Sequence, residues 1–429
     1  MRMSDFLNLL RGNSNYRNMW LGQVVSEIGD HFNNIAVLSL VIATTGSGLA
    51  VAVVMLARAI PAVLAGPIAG VVLDRFDRKR VMIASDLARA AVAAGFIFAI
   101  PHGRIGVVLA LSAALMFASP FFTSGRSAIL PAIASERELH PANSLTQTTQ
   151  WATQTLGTLL AGFSAAKFGY TWAFILNGAS FLFSAVAIWR LRAAPGTSFQ
   201  PKRAEAGAVA PWSEYKDGLR YIGYSPLTLG IALLSVGWAM GGGAAQILFT
   251  LFGEQVFHRG AAGIGTIWSL AGAGLLAGGA IGHMLGRRVD FKGYKRSISV
   301  SYLVHGGAFV VFSVMEQYWA ALFFVMLSRI GMAVTSVLNY SQLLRNTPDE
   351  FRGRVFATME TVRWPIMVLS MGAAGVASQY WSPRAIGVVA GVLGTVTALA
   401  WAWADWRGKL PEPAAQGKPL PRGRGSATA

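Results

Sequence analysis

Charge in this chain of 429 residues is confined to short clusters that separate long apolar runs. A run of about 20 apolar residues spans the hydrocarbon core of a bilayer as a helix, the one single-segment structure whose backbone polar groups are all satisfied internally. Twelve such runs are read, near residues 18–43, 49–73, 80–100, 105–125, 143–166, 171–192, 226–252, 261–286, 297–315, 318–342, 355–378 and 384–406. Hydrophobic residues make up 54% of the chain and charged ones 13%, well below the quarter or so expected of a soluble domain. The fold class expected is therefore an all-α, multi-pass membrane protein. Its 48 glycines suit transmembrane helices that pack closely through small side chains.

The formal net charge of +17 raises the question of a nucleic-acid partner, and its placement along the chain answers it. Of the 36 Lys and Arg, 29 fall on one side, in alternate loops, the adjoining helix ends and the two tails, four on the other side and three deep inside helices. That is a positive-inside pattern, which predicts both termini on the cytoplasmic side and no nucleic-acid partner. With no cysteine, disulfides and thiolate metal sites are excluded, and the six His are too scattered for a metal site. No cofactor is expected. A GxxxxGK[ST] phosphate loop is absent, which argues against direct use of ATP. The first sixteen residues hold no apolar core of signal-peptide length, so no cleaved leader is expected.

Two loops recur at half the chain length. Asp74-Arg75-Phe76-Asp77-Arg78 has a weaker counterpart in Gly286-Arg287-Arg288-Val289-Asp290, and Leu130-Pro131 to Arg137 matches Thr347-Pro348 to Arg354 some 217 positions later. Duplication of a six-helix unit follows, with substrate expected near the midplane between halves. The organisation read is a cytoplasmic tail (1–16), a first six-helix bundle (17–193), a central linker (194–220), a second six-helix bundle (221–406) and a disordered basic tail (407–429). The linker carries Pro195, Pro201, Lys202, Arg203, Glu205 and Gly207, with a short helix over Trp212 to Tyr221. The tail carries Pro411, Pro413, Pro419 and Pro421 and is read as a segment held to anionic lipid headgroups.

An ionisable group in hydrocarbon is costly, so those that remain face a cavity or a partner. Six are read inside spans: Glu27, Asp30, Arg58, Asp86, Arg89 and Arg329, three acids against three bases. Gln23, Glu27, Asp30 and Asn34 share an arc of roughly 60 degrees on the first helix. Two readings of that stripe stand side by side. Asp30, the deeper, or Glu27 takes up and releases a proton as the site alternates, or the acids and Arg58 form a permanent ion pair that fixes packing. His31 points about 100 degrees away from Asp30 and is a weaker relay candidate, and His305 reads as a satisfied interior residue.

Gln147, Gln150 and Gln154 share a face of the fifth helix, continued by Thr158, and suit either a wet cavity or interhelical hydrogen bonds. Gln246 and Asn339 are candidates to face them. Arg329 has no acid in its own helix, so it holds either an anionic substrate group or an acid from another helix. Trp151, Trp238, Trp268 and Trp364 are aromatic surfaces at or within spans, serving packing or the binding of flat compounds.

The segment Gly70-Val-Val-Leu-Asp74-Arg75-Phe-Asp77-Arg78-Lys79-Arg80 between two apolar helices resembles the loop joining the second and third helices of major facilitator superfamily transporters. Within that superfamily, Asn15-Tyr16-Arg17 to Gln23, Pro141-Ala142-Asn143-Ser144-Leu145 and Thr347-Pro348-Asp349-Glu350-Phe-Arg352-Gly353-Arg354 resemble the macrolide-efflux and enterobactin-export branch. The resemblance implies twelve transmembrane helices in two pseudo-symmetric six-helix bundles. It also implies that Gly70, Asp74, Arg75, Arg78 and Lys79 latch the halves in the outward-open state, with Asp86 and Arg89 in support and Glu360 or Arg363 as partners. Two departures stand out: the fifth helix reads Gly157-Thr158 where antiporters of the superfamily often have Gly-Pro, and Gly286 replaces the acid that Asp74 supplies in the first half.

The function expected is a monomeric secondary transporter of a bacterial inner membrane, exporting small amphipathic organic compounds by proton antiport. A siderophore or other anionic metabolite is the alternative cargo, motivated by Arg58 and Arg329. A membrane enzyme or lipid-handling protein is a further alternative, for which no Ser-His-Asp or His-carboxylate constellation stands out. A passive channel is the last, and the duplication and the gating loop argue against it.

Overall fold

The computed structural model describes residues 3–99, 105–193, 195, 197–201 and 211–413. Lys202, Arg203, Glu205 and Gly207 of the linker, and Pro419 and Pro421 of the tail, lie outside the described residues. Within them there are fourteen α-helices and no strand. They are α1 (Met3–Gly12), α2 (Ser14–Thr45), α3 (Gly48–Leu73), α4 (Arg78–Ala99), α5 (Ile105–Ile133), α6 (Glu136–Phe168), α7 (Tyr170–Trp189), α8 (Pro211–Tyr224), α9 (Pro226–Leu251), α10 (Gly260–Gly286), α11 (Phe291–Val314), α12 (Tyr318–Asn346), α13 (Asp349–Ala377) and α14 (Pro383–Trp406). A π-helical turn, Phe252–Val256, prolongs α9.

Twelve of the fourteen have 20 residues or more, and nine of those are long and apolar enough to cross a membrane by length and composition. The three that fall short are α2, α6 and α13, which carry the polar residues described below. Each helix begins and ends for local reasons. Asn13 caps α2 by accepting from Tyr16 N, Ser47 caps α3 by accepting from Ala50 N, and α2 stops where Gly46 turns left-handed at φ 61° and donates to Ile42 O.

Helices α2 to α7 pack as one group, with α2 against α6 and α7, α3 against α5, and α4 against α5 and α7. Helices α9 to α14 make a second group, with α10 against α12, α11 against α12 and α14, and α9 against α13 and α14. The groups meet along two seams, α6 with α10 and α3 with α13. Small residues make both. A Cβ on Gly265 would lie 2.5 Å from Thr158 O and 2.7 Å from Gly162 Cα, so nothing larger than glycine fits there without separating α6 from α10. On the other seam a Cβ on Gly375 would lie 2.3 Å from the Ala52 Cβ. Near Gly46 the π-turn residue Gln255 donates to Gly46 O at 2.8 Å, tying the groups at that end.

Four boundaries differ from the sequence reading. Residues 1–16 are not a plain tail, because α1 docks on α2 and α6 with Leu9 only 4% exposed. The fourth apolar run does not end at 125, since α5 continues to Ile133 through Pro131. The linker helix runs to Tyr224, past the expected limit of 220, and packs on α13 and α9. The final segment is not loose at its start: Leu410 is buried against Gly230 and Trp401, and its carbonyl accepts from Lys295 Nζ.

Helices α1 and α8 are equivalent. Each is a short helix ahead of a long one, and Ser225 caps α9 by accepting from Thr228 N just as Asn13, 212 positions earlier, caps α2. Leu9 and Tyr221, at the same offset, are the buried residues that seat them. The repeated unit therefore starts before its first long helix.

Candidate functional site

The polar face of α2 is where the first group concentrates its charge. Gly22 and Gly29 form the opposite, closely packed face: a Cβ on Gly29 would stand 2.1 Å from Ser180 Oγ of α7. That contact fixes the rotation of α2 and turns Glu27 and Asp30 toward α4, α5 and α6. Glu27 Oε1 accepts from Arg126 Nη1 of α5 at 3.0 Å and from Gln23 Nε2 at 2.9 Å, and its Oε2 accepts from Thr153 Oγ1 of α6 at 2.9 Å. One carboxylate thus joins three helices while its side chain stays 18% exposed.

Asp30 lies one turn further along. Its carboxylate is 3.9 Å from Arg89 Nη1 of α4, and the same guanidinium donates to Asp86. Arg89 is 2% exposed and sits between the rings of Phe122 and Phe181, 4.6 and 4.3 Å from their centroids. Asp86 is fully enclosed, whereas Asp30 is 31% exposed. The partner expected for Asp30 was Arg58. Arg58 donates to Asn33 Oδ1 at 3.1 Å, and it lies near enough to Asp30 to act on it through charge without reaching ion-pair distance.

Arg126 and Thr153 were missed from sequence. The apolar run was cut at 125, although Ala128-Ile129-Leu130 resumes it, and reading through Pro131 brings Arg126 inside a helix. Its inclusion changes the charge count. Three acids and three arginines now sit together in the first group, leaving the fourth arginine, Arg329, in the second.

Gln23 is not a cavity residue, since it is fully buried and donates both to Glu27 and to Thr146 O. Asn34, Gln150, Gln154 and Gln246 are half-buried and Gln147 is exposed. His31 packs against Gly157, and His305 is held by Ser328 Oγ and O through its Nδ1 at 2.9 and 3.1 Å. Trp151 packs over Gly279, and Trp268 is edge-on to Phe249.

In the second group a cavity of about 230 Å³ is lined by Trp238, Tyr302, Met332, Asn339, Glu360 and Arg363 among others. Asn339 Oδ1 accepts from Tyr294 OH at 2.8 Å, which orients it on the cavity wall. Glu360 and Arg363 pair with each other, and Arg363 lies over the Trp238 ring, so neither reaches Asp74. Arg329 stands beyond Trp238 in a narrower cleft with Gly241, Gly242, His305 and Phe309. It is 7% exposed, and no carboxylate lies within ion-pair distance among the described residues.

Among the described residues the charged loop after α3 is engaged by its own group and by Phe199 of the linker, whose carbonyl accepts from Arg78 N at 3.1 Å and whose ring lies under Lys79. Arg78 donates to Ala128 O, Lys79 donates to Leu191 O, and Asp77 accepts from Arg80 N. Asp74, Arg75 and Phe76 are exposed, and a Cβ on Gly70 would meet nothing. The start of α13 is held instead by α8, where Arg354 lies 3.5 Å from both Glu214 and Asp217. Tyr221 of α8 donates to Asn346 O at 3.1 Å, and burial holds its phenol pKa above the ordinary value, keeping it a donor.

The family model of the Major Facilitator Superfamily matches residues 19–370. The chain belongs to that superfamily. It is similar to the uncharacterised MFS-type transporter YfiS of Bacillus subtilis, 26% identical over 388 residues, 87% of this chain and 88% of that one. The enterobactin exporter EntS of Escherichia coli O1:K1 is 27% identical over 301 residues, 67% of each chain. Macrolide efflux protein A of Streptococcus pyogenes is 28% identical over 137 residues, 31% of this chain and 33% of that protein. Among solved structures, a bacterial homologue of the iron transporter ferroportin in an inward-facing state aligns with a TM-score of 0.68 at 16% identity, covering 92% of this chain and 99% of that one. A bacterial homologue of the lysosomal transporter Spinster, inward-facing and unoccupied, aligns at 0.67 and 13% identity, covering 94% and 99%. This superfamily member is a multi-pass membrane transporter, and its relatives and structural neighbours are transporters rather than enzymes.

Proposed function

We propose that the chain is a proton-coupled exporter of small amphipathic organic compounds in a bacterial inner membrane, acting as a monomer with both termini cytoplasmic. The twelve long helices are its spans, including α2, α6 and α13, whose polar faces line the path. Bundles 17–193 and 221–406 rock about the two glycine seams. The observation that carries this reading is Glu27, clamped by Arg126, Gln23 and Thr153 yet still partly exposed, beside the half-open Asp30. A proton arriving at Glu27 removes the charge that holds Arg126, and the α2, α5 and α6 contacts loosen together. Asp30 and Arg89 extend the same network to α4.

Two further observations support alternating access. The groups are tied at the Gly46 end by Gln255, whereas Asp74, Arg75 and Phe76 at the other end are exposed. This fits a state open toward the charged loop, with the latch of Gly70, Asp74, Arg75 and Arg78 forming when the path opens the other way. The similarity to a macrolide efflux protein and an enterobactin exporter favours export. Arg329 favours a second cargo class, an anionic metabolite.

The test is efflux of ethidium from cells expressing wild type, Glu27→Gln or Asp30→Asn, with and without an uncoupler. Loss of efflux on uncoupling and in either variant is the expected result. Efflux that survives the uncoupler and both substitutions rules out coupling through these acids.

A further inference from the structure

We infer that Arg329 and Trp238 form an anion subsite inside the second helix group, which takes the carboxylate or phenolate of an aromatic compound whose ring lies in the adjoining cavity. The charge count comes first. Every acid among the deep residues, Glu27, Asp30 and Asp86, belongs to the first group and has an arginine against it there. Arg329 is the positive charge left over. A buried guanidinium without a counter-charge is costly, and its five donors want acceptors. The hydrogen-bond acceptor they meet among the described residues is one soft sulfur, Met332 Sδ, 3.4 Å from Nη1.

The surroundings are suited to holding the charge without neutralising it. The guanidinium lies 5.0 Å from the Phe249 ring centroid and 5.7 Å from that of Phe309, so the ring faces offset part of the cost of burial. Gly274 of α10 is what admits the side chain this deep, since a Cβ there would stand 2.8 Å from the Arg329 Cβ.

A second unpaired donor belongs to a residue that lines the same cleft. Trp238 lines both the Arg329 cleft and the larger cavity, and its buried Nε1 has no hydrogen-bond partner among the described residues. A buried indole N–H left unmade is an exception that calls for an acceptor. One anionic oxygen supplied by a ligand satisfies the N–H and the guanidinium together.

Size separates the two compartments. The cleft at Arg329 holds about 10 Å³, room for one water-sized group and no ring. The cavity on the other side of Trp238 holds about 230 Å³, with Tyr302, Met332 and Tyr340 on its walls. One anionic oxygen in the cleft, carried on a flat aromatic body in the cavity, is the ligand shape that fills both. The subsite lies within one helix group, so it moves as a unit when the groups rock, and it rests on the exporter reading only for where its ligand goes.

The experiment is equilibrium binding of radiolabelled naphthoate and of its neutral amide, naphthamide, to the full-length protein in lipid nanodiscs. Wild type is expected to bind naphthoate saturably and naphthamide about tenfold more weakly or worse, since a charge-assisted pair is lost. Arg329→Gln is expected to bind the two alike, Arg329→Lys to keep part of the preference, and Trp238→Phe, which retains a ring without the N–H, to lose a few-fold in affinity for the acid. The acid-to-amide comparison on wild type needs no variant to fold. No saturable binding of naphthoate, equal binding of acid and amide by wild type, or an undiminished preference in a folded Arg329→Gln overturns the subsite. A protein that exports ethidium but fails these tests keeps the exporter reading and loses the subsite, and one that passes them but exports nothing does the reverse.

Discussion

The two helix groups handle buried charge in opposite ways. In α2 to α7, acids and arginines interlock: Arg89 serves Asp86 and Asp30, and Arg126 serves Glu27. In α9 to α14, Arg329 is set among aromatic rings with no acid beside it. An internally compensated cluster responds to protons, because protonating one member frees another. An uncompensated cation responds to an anion from outside. Under the proposed function the two groups thus carry different chemical tasks.

Deleting one arginine from each group is expected to have the largest and most unequal effects. Arg89→Ala leaves Asp86 buried and unpaired and is expected to cost ~3–5 kcal/mol, seen as a large fall in melting temperature in detergent. Arg329→Met strands no acid, so its melting temperature is expected to stay level or rise. A loss at Arg329 equal to that at Arg89 would mean that the second group also relies on its arginine for stability, and the contrast would fail.

The seam between the groups comes next. A Val at Gly265 would drive its side chain into Thr158 O and Gly162 of α6, so Gly265→Val is expected to abolish efflux while each group keeps its own helices, read as helical circular dichroism unchanged from wild type. Efflux at wild-type rate would show that the α6 and α10 contact has slack.

A smaller effect on stability, with a distinct effect on transport, is expected at Glu27. Glu27→Gln keeps a hydrogen-bonding side chain and leaves Arg126 unpaired, and the double variant with Arg126→Gln removes both charges. The double variant is expected to regain the melting temperature lost by Glu27→Gln, about 1–3 kcal/mol, without regaining uncoupler-sensitive efflux. Recovery of efflux as well would make the pair purely structural.

The smallest effect belongs to the clamp on the outside of the second group. Glu214 and Asp217 are more than two-fifths exposed, so Glu214→Gln with Asp217→Asn is expected to cost no more than ~1 kcal/mol, measured by thermal unfolding at low salt and vanishing at high salt.

Much of the architecture was legible along the chain. Every apolar run read from sequence lies on a long helix, since a backbone in hydrocarbon has few alternatives to a helix. The helix over Trp212 to Tyr221 was also anticipated. Helix α1 was not, because ten residues with three leucines, Phe6 and charges at Asp5 and Arg11 read as a tail until α2 and α6 offer them a surface. Likewise Arg126 was hidden behind a boundary set at Gly125, where the stretch Thr123 to Ser127 interrupts the apolar run but not the helix. The ion-pair and hydrogen-bond partners of these helices were not legible: Asp30 lies at ion-pair distance from Arg89 and Arg58 donates to Asn33, because a helical wheel gives the direction of a side chain from its own axis and not which neighbour lies there.

Composition, charge asymmetry and the two recurring loops determined by themselves that this chain spans a membrane with helices in two related sets, since these follow from the solvent the chain must face and from periods counted along it. Which acid meets which arginine, that Gln23 is enclosed while Asp30 stays half open, and that Arg329 is left with aromatic rings and an unpaired indole N–H were decided only in three dimensions. Those outcomes depend on the rotation and spacing of helices, which Gly29, Gly265 and Gly274 set through contacts with residues far away in sequence.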